Sequence, residues 1–299
     1  MQQRAAFAFG SLAYFSWFYF FVGFRPEHAG LYLTLVGLYL AGPAPRRFVI
    51  AFGAFIVYWI IYDSLRVWPN YMANPIHVAE PYDIEKAWFG MQGPDGARIT
   101  LNEYFAQHTT AFLDVLTGLF YLGWVPVPLL FATWLFVHDK PLFIRFSYAF
   151  LFTNLLGFVI YYLYPAAPPW YIELYGWEVK HGTPGNPAGL SGFDRYFGIQ
   201  LFADMYKKNA NVFAAIPSLH SAYPVLCLLY GRFLKKWWLN LAFGALVAGI
   251  WFAAVYTRHH YVIDVLAGAA TALGGYWLFE FLVQRTRLRQ WFQTLLTRI

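Results

Sequence analysis

Two imidazoles and a carboxylate stand at the edges of long apolar runs in this sequence. His220 lies in Ala214-Ala-Ile-Pro-Ser-Leu-His-Ser-Ala-Tyr-Pro224, and His260 and Asp264 lie in Thr257-Arg-His-His-Tyr-Val-Ile-Asp264. A polar group placed there gives up hydration, so it needs a partner or a function. Four residues separate His260 from Asp264, one helical turn, so the carboxylate can hold one ring nitrogen and leave the other pointing outward. A structural His–Asp pair has the same spacing. Two histidines and one acid, without a second carboxylate cluster, suit phosphoryl transfer through a covalent phosphohistidine. His260 would be the nucleophile, Asp264 would steady its ring, and His220 would protonate the leaving oxygen and then take a proton from the acceptor hydroxyl. Phosphoryl oxygens call for oriented positive charge, for which the candidates are Arg195, Lys207, Lys208 and Arg258. Ser218 and the free N–H groups of the helix expected to start near Pro217 would add to them. His220, His260 and Asp264 lack the short-range ligand pair usual in a metal site, so neither metal nor cofactor is expected. His259 is expected to face away from its neighbour.

The elements that must position these groups are membrane segments. The chain has 299 residues, of which 60% are hydrophobic and only 12% charged, with 22% aromatic. Its mean hydropathy is +0.44. That composition reads as a polytopic all-α membrane bundle. The formal charge of +6 does not point to nucleic acid, because the basic residues sit in short loops between apolar segments. The single cysteine, Cys227, excludes an internal disulfide and reads as packing. About eight segments are expected, near 5–24, 29–41, 48–63, 109–137, 143–164, 212–234, 238–256 and 261–283. The second is short, tilted or re-entrant, and the fourth should kink near Gly123. Residues 64–108 and 164–211 are polar and rich in proline and glycine, and should form cap loops, with an interfacial helix over 101–107.

Arg4, Arg46, Arg47, Lys140, Arg145, Arg232, Lys235, Lys236, Arg285, Arg287, Arg289 and Arg298 fall on one side of such a bundle, so the positive-inside rule puts both termini in the cytoplasm. The two histidine stretches then face the opposite, extracytoplasmic or luminal compartment. Trp170, Tyr171 and Tyr223 are candidates to border a lipid groove. Asp63 and Asp114 are acids at the membrane edge, and Glu280 is a buried acid expected to snorkel or pair. A lipid transporter or scaffold would instead carry an internal hydropathy repeat, and none is visible.

The sequence resembles the PAP2 (type 2 phosphatidic acid phosphatase) superfamily, specifically its inositol phosphorylceramide synthase-like, or aureobasidin-resistance, branch. The resemblance rests on Tyr164-Pro-Ala-Ala-Pro-Pro-Trp170, Phe213-Ala-Ala-Ile-Pro-Ser-Leu-His-Ser221 and His259-His-Tyr-Val-Ile-Asp264, with Gly192-Phe-Asp-Arg195 between them. It implies a six-helix core over 43–284, preceded by additional segments over 1–42 and followed by a basic tail over 285–299. It places the family's two histidines on His220 and His260 and its acid on Asp264. The broad phosphatase pattern has Lys at the position of Gly157, Arg at those of Tyr164 and Ala254, and Gly at that of Leu219. These departures point to the synthase-like branch and require replacement cations, Arg195 first. The resemblance implies transfer of a phosphoryl-headgroup, phosphoinositol from phosphatidylinositol, to a lipid hydroxyl such as ceramide. Hydrolysis of phosphatidic acid or an isoprenyl phosphate, with water as acceptor, is the alternative.

Overall fold

Apolar runs interrupted by proline and glycine fold, in the computed structural model, into a helical bundle capped by polar loops. The structure describes residues 2–209 and 211–299, with side chains from residue 8 onward, so the Arg4 side chain lies outside the described residues. The chain begins with α1 (Gln2–Trp17), extended by a π turn over Phe18–Val22, and returns along α2 (Pro26–Leu40). Then follow α3 (Pro43–Ala51) and α4 (Gly53–Ser64), which meet at 52°. The first polar stretch contains α5 (Ala79–Phe89), the hairpin β1 (Met91–Gln92) and β2 (Arg98–Ile99), and α6 (Leu101–Gln107). The helix expected over 101–107 is therefore present, started by a capping box in which Thr100 and Glu103 bond each other's backbone N–H.

Next come α7 (Ala111–Leu122) and α8 (Pro126–His138), bent by 41° at the Gly123–Pro126 break, where the kink was expected. The chain continues through α9 (Lys140–Leu163) into the second cap, with α10 (Pro169–Tyr175), α11 (Ser191–Phe197) and α12 (Leu201–Lys207). It ends with α13 (Leu219–Gly231), α14 (Trp237–Tyr256), α15 (Val262–Arg285) and the amphipathic α16 (Leu288–Leu296). Among the described residues three helices, α9, α14 and α15, are long and apolar enough to cross a membrane, and the count rises to five if each bent pair is one span. The other expected segments fall on shorter helices: α2 has 15 residues and α13 has 13, against roughly 20 for a perpendicular crossing.

The core packs α13 against α9, α14 and α15. Crossing of α13 over α15 depends on Gly268, where an added Cβ would lie 2.1 Å from the Ser218 carbonyl oxygen. Only a missing side chain lets the two backbones approach this closely. Loops are tied to one another by backbone hydrogen bonds. Ala166 N–H donates to the Phe213 carbonyl at 3.0 Å, Ala215 N–H to that of Ala166 at 3.3 Å, and Ser218 N–H to that of Asp264 at 3.0 Å. The three sequence blocks that carry the resemblance thus form one hydrogen-bonded unit at the mouth of the bundle.

Candidate active site

His220 occupies the first turn of α13, and His260 precedes α15 in the short link from α14. That link is tightly held: the N–H groups of His259 and His260 both donate to the Ala254 carbonyl, at 3.1 and 3.0 Å. From the cap, Asn102 Nδ2 donates to the carbonyls of Val255 at 3.0 Å and His260 at 2.9 Å. Asp264 caps its own helix, Oδ2 accepting the Tyr261 N–H at 2.9 Å. The same oxygen lies 3.4 Å from His260 Nδ1, and among the described residues neither Nδ1 nor Asp264 Oδ1 has a hydrogen-bond partner. On the other side of the ring, His260 Nε2 is 3.1 Å from His220 Nδ1. Tyr121 Oη lies 3.4 Å from the same His220 nitrogen, and Tyr206 Oη donates to Tyr121 Oη at 3.1 Å.

With Nδ1–H turned to Asp264, His260 Nε2 keeps its lone pair and accepts from His220 Nδ1–H. Burial pushes the His260 imidazole down to about 4, so the ring is neutral and nucleophilic at neutral pH. His259, expected to face away from its neighbour, takes partners distinct from those of His260. It is buried, with Nδ1 3.0 Å from Thr257 Oγ1 and Nε2 3.3 Å from the Asn186 carbonyl, because the tight link turns both rings inward.

The predicted accessory residues scatter. Arg195 is exposed on α11, while its buried neighbour Asp194 accepts the N–H groups of Phe202 and Ala203. Lys207 is exposed and pairs with Asp204 at 3.1 Å. Arg258 turns away from the histidines, its Nε 2.8 Å from Glu173, into a separate cavity between α6 and α10. Ser218 is fully buried as the N-cap of α13, its Oγ accepting the Ser221 N–H, so the helix begins at Leu219, two residues beyond Pro217. Trp170, Tyr171 and Tyr223 are interior side chains. Tyr171 bridges Glu178 and Lys180, and Tyr223 donates to Asn154 Oδ1 at 2.6 Å. Of the predicted cations, Lys208 alone lines the cavity that holds His220.

That cavity, about 370 Å³, also brings in residues that the sequence reading passed over: Arg25 and Arg66. Both hold Asp63, Arg25 Nη2 at 2.5 Å and Arg66 Nη2 at 2.8 Å, and the fully buried His28 reaches it at 2.9 Å. A carboxylate at the end of an apolar run demands cations; that was the signal, and Asp63 carried it. The other edge acids are satisfied elsewhere, Asp114 by Tyr256 and Glu280 by Arg145 and Tyr230. The departures at 157 and 219 explain each other. A Cβ on Gly157 would meet the Leu219 side chain at 2.7 Å, so leucine fills the space beside a bare backbone.

Fold and site together define a helical membrane protein with a paired-histidine centre beneath a polar cap. The sequence profile of the PAP2 superfamily matches residues 97–278, and the chain belongs to that superfamily. It is 47% identical over 271 residues to the phosphoinositol dihydroceramide synthase of Bacteroides thetaiotaomicron, an alignment covering 89% of this chain and 88% of that one. It is 34% identical over 195 residues to the inositol phosphorylceramide synthase of Candida albicans, covering 60% of this chain and 38% of the relative. With the inositol phosphorylceramide synthase catalytic subunit of Saccharomyces cerevisiae it shares 28% identity, over 84% of this chain and 60% of the relative. No solved structure matches the chain.

Proposed function

We propose that this protein transfers phosphoinositol from phosphatidylinositol to the hydroxyl of a ceramide-type lipid, through a phosphohistidine on His260. The observation that carries the reading is the contact of His260 Nε2 with His220 Nδ1 at 3.1 Å, with Asp264 behind His260 and a cavity in front of His220. In the first half-reaction His260 Nε2 attacks phosphorus, the bond from phosphorus to the diacylglycerol oxygen breaks, and protonated His220 gives its proton to that oxygen. In the second, the acceptor hydroxyl gives its proton to His220 and attacks phosphorus, and the bond to His260 breaks. Asp264 stabilises the positive charge that His260 carries in between. The relatives' names supply the donor headgroup and the acceptor class.

The site would face the extracytoplasmic or luminal side, with both termini cytoplasmic. This is supported by the gathering of basic loops at the end of the bundle opposite the histidines. There Lys140 lies over Phe136, Lys236 over Trp134 and Arg145 over Phe233, and Phe136 packs on Phe48 beside Arg46 and Arg47. The division into added segments over 1–42, a catalytic core over 43–284 and a tail over 285–299 is part of the same reading.

Product analysis tests it. Purified protein in lipid is given headgroup-labelled phosphatidylinositol with and without ceramide, beside His260→Ala. Label that moves to ceramide in the wild type and not in the variant supports the transferase. Release of phosphoinositol regardless of acceptor would make the protein a hydrolase, and transfer by His260→Ala would remove the covalent step.

A further inference from the structure

The cavity lined by His220 also carries charged side chains, and these come from three distant parts of the chain. Arg25 and Glu27 come from the turn between α1 and α2, Asp63 and Arg66 from the end of α4, and Lys208 from the end of α12. They form one network. Arg25 and Arg66 grip Asp63, Arg66 Nη2 donates to the Lys208 carbonyl at 3.3 Å, and Lys208 Nζ lies 3.7 Å from Glu27. Arg25 Nε has no hydrogen-bond partner among the described residues. Three cations against two carboxylates leave an excess of positive charge in the cavity that His220 lines, suited to an anionic phosphodiester. Glu27, 51% exposed at its side chain, supplies acceptor oxygens for hydroxyl groups, and Trp59 and Trp124 line the same space, a combination that suits a polyhydroxylated ring. At about 370 Å³ the space falls within the roughly 300–1,000 Å³ of small-molecule sites.

Trp59 also lines a second space, an apolar groove of about 360 Å³ whose walls are Leu31 and Leu35 of α2 and the run from Phe48 to Ile56 on α3 and α4. Shared by both, Trp59 stands between a charged compartment and an apolar one, the layout that a lipid with a charged head and an apolar chain requires. We infer that α1 and α2 form part of the donor-lipid site: Arg25, Arg66 and Lys208, aligned by Asp63, hold the phosphate and ring hydroxyls of the donor headgroup, and the groove between α2 and α4 takes one of its acyl chains. This rests on the donor assigned above. The acceptor, an uncharged lipid, does not match the charged wall.

Steady-state kinetics on the full chain in mixed micelles separate the two lipids. Lys208→Gln and Arg66→Gln are each expected to raise the KM for phosphatidylinositol about tenfold, leaving kcat and the KM for ceramide within about threefold. Leu35→Trp, which fills the groove, is expected to raise the KM for phosphatidylinositol while leaving that for water-soluble glycerophosphoinositol unchanged. Lys208 is 71% exposed at its side chain, so its variant tests the wall without disturbing the core. If these changes move the ceramide KM instead, or leave the phosphatidylinositol KM where it was, the inference fails while the transferase reading stands. Binding of phosphatidylinositol micelles to His260→Ala, with and without Lys208→Gln, covers the converse. Lys208-dependent binding in a protein whose wild type transfers nothing keeps the subsite and removes the reaction, and binding indifferent to Lys208 overturns the subsite.

Discussion

His260 is neutral because it is buried, and its chemistry follows from that. Its imidazole is pushed from 6.5 down to about 4, so the unfolded chain takes up a proton below pH ~6.5 that the folded one refuses until pH ~4. The His260 contribution to stability is therefore fully present above the unfolded value and declines as pH falls from 6.5 towards 4. The acid limb of kcat/KM should likewise lie well below the ordinary histidine value, with activity held through pH 6; a pH–rate profile checks this, and a limb centred at 6.5 would mean a solvated ring. Asp264→Asn keeps the α15 cap but removes the negative charge behind the ring. It is expected to lower kcat roughly 10²–10⁴-fold with little change in donor KM.

At the scale of elements, the histidine-bearing link between α14 and α15 is held by the cap through Asn102. Asn102→Ala leaves the carbonyls of Val255 and His260 without their side-chain donor, expected to cost about 1–3 kcal/mol and to lower kcat together with the thermal midpoint. Glu85 of α5 is fully buried, its Oε2 accepting the Ile263 N–H of α15 at 3.1 Å. Burial raises its carboxyl from 4.5 to about 7, so its contribution to stability is complete below pH 4.5 and is lost as pH rises through 7. Glu85→Gln should flatten that slope in thermal midpoints measured from pH 5 to 8. Below the link, Gly268→Ala forces a methyl against the Ser218 carbonyl and is expected to destabilise the crossing of α13 and α15 by about 1–3 kcal/mol, with a loss of transfer out of proportion to the loss of fold.

For the whole molecule, the division between a basic end and a histidine end predicts which loops an impermeant reagent reaches. In a Cys227→Ala background, a cysteine at Lys180 should be labelled from outside intact cells, and one at Lys235 only after permeabilisation. The reverse pattern would invert the topology. The same division explains the hairpin of α1 and α2. His28 is buried, stacks on Phe18 at 3.9 Å and reaches Asp63, which seats the hairpin against α4 beside the cavity.

The membrane class, the helical bundle, the kink near Gly123 and the helix over 101–107 were legible because each follows from local rules: apolar run length, proline and glycine, a capping box. So were His220, His260 and Asp264 as a group, since one helical turn and the edges of apolar runs are visible along the chain. Of the cations in the cavity, only Lys208 was. Arg195 and Arg25 look alike in sequence, and only packing leaves one exposed on α11 and brings the other, 38 residues from Asp63, to the cavity that His220 lines. The exchange of space between Gly157 and Leu219 was equally out of reach, because it joins two helices 62 residues apart along the chain. Local periodicity sets which element a residue joins; the neighbours that element meets are decided by how the helices cross.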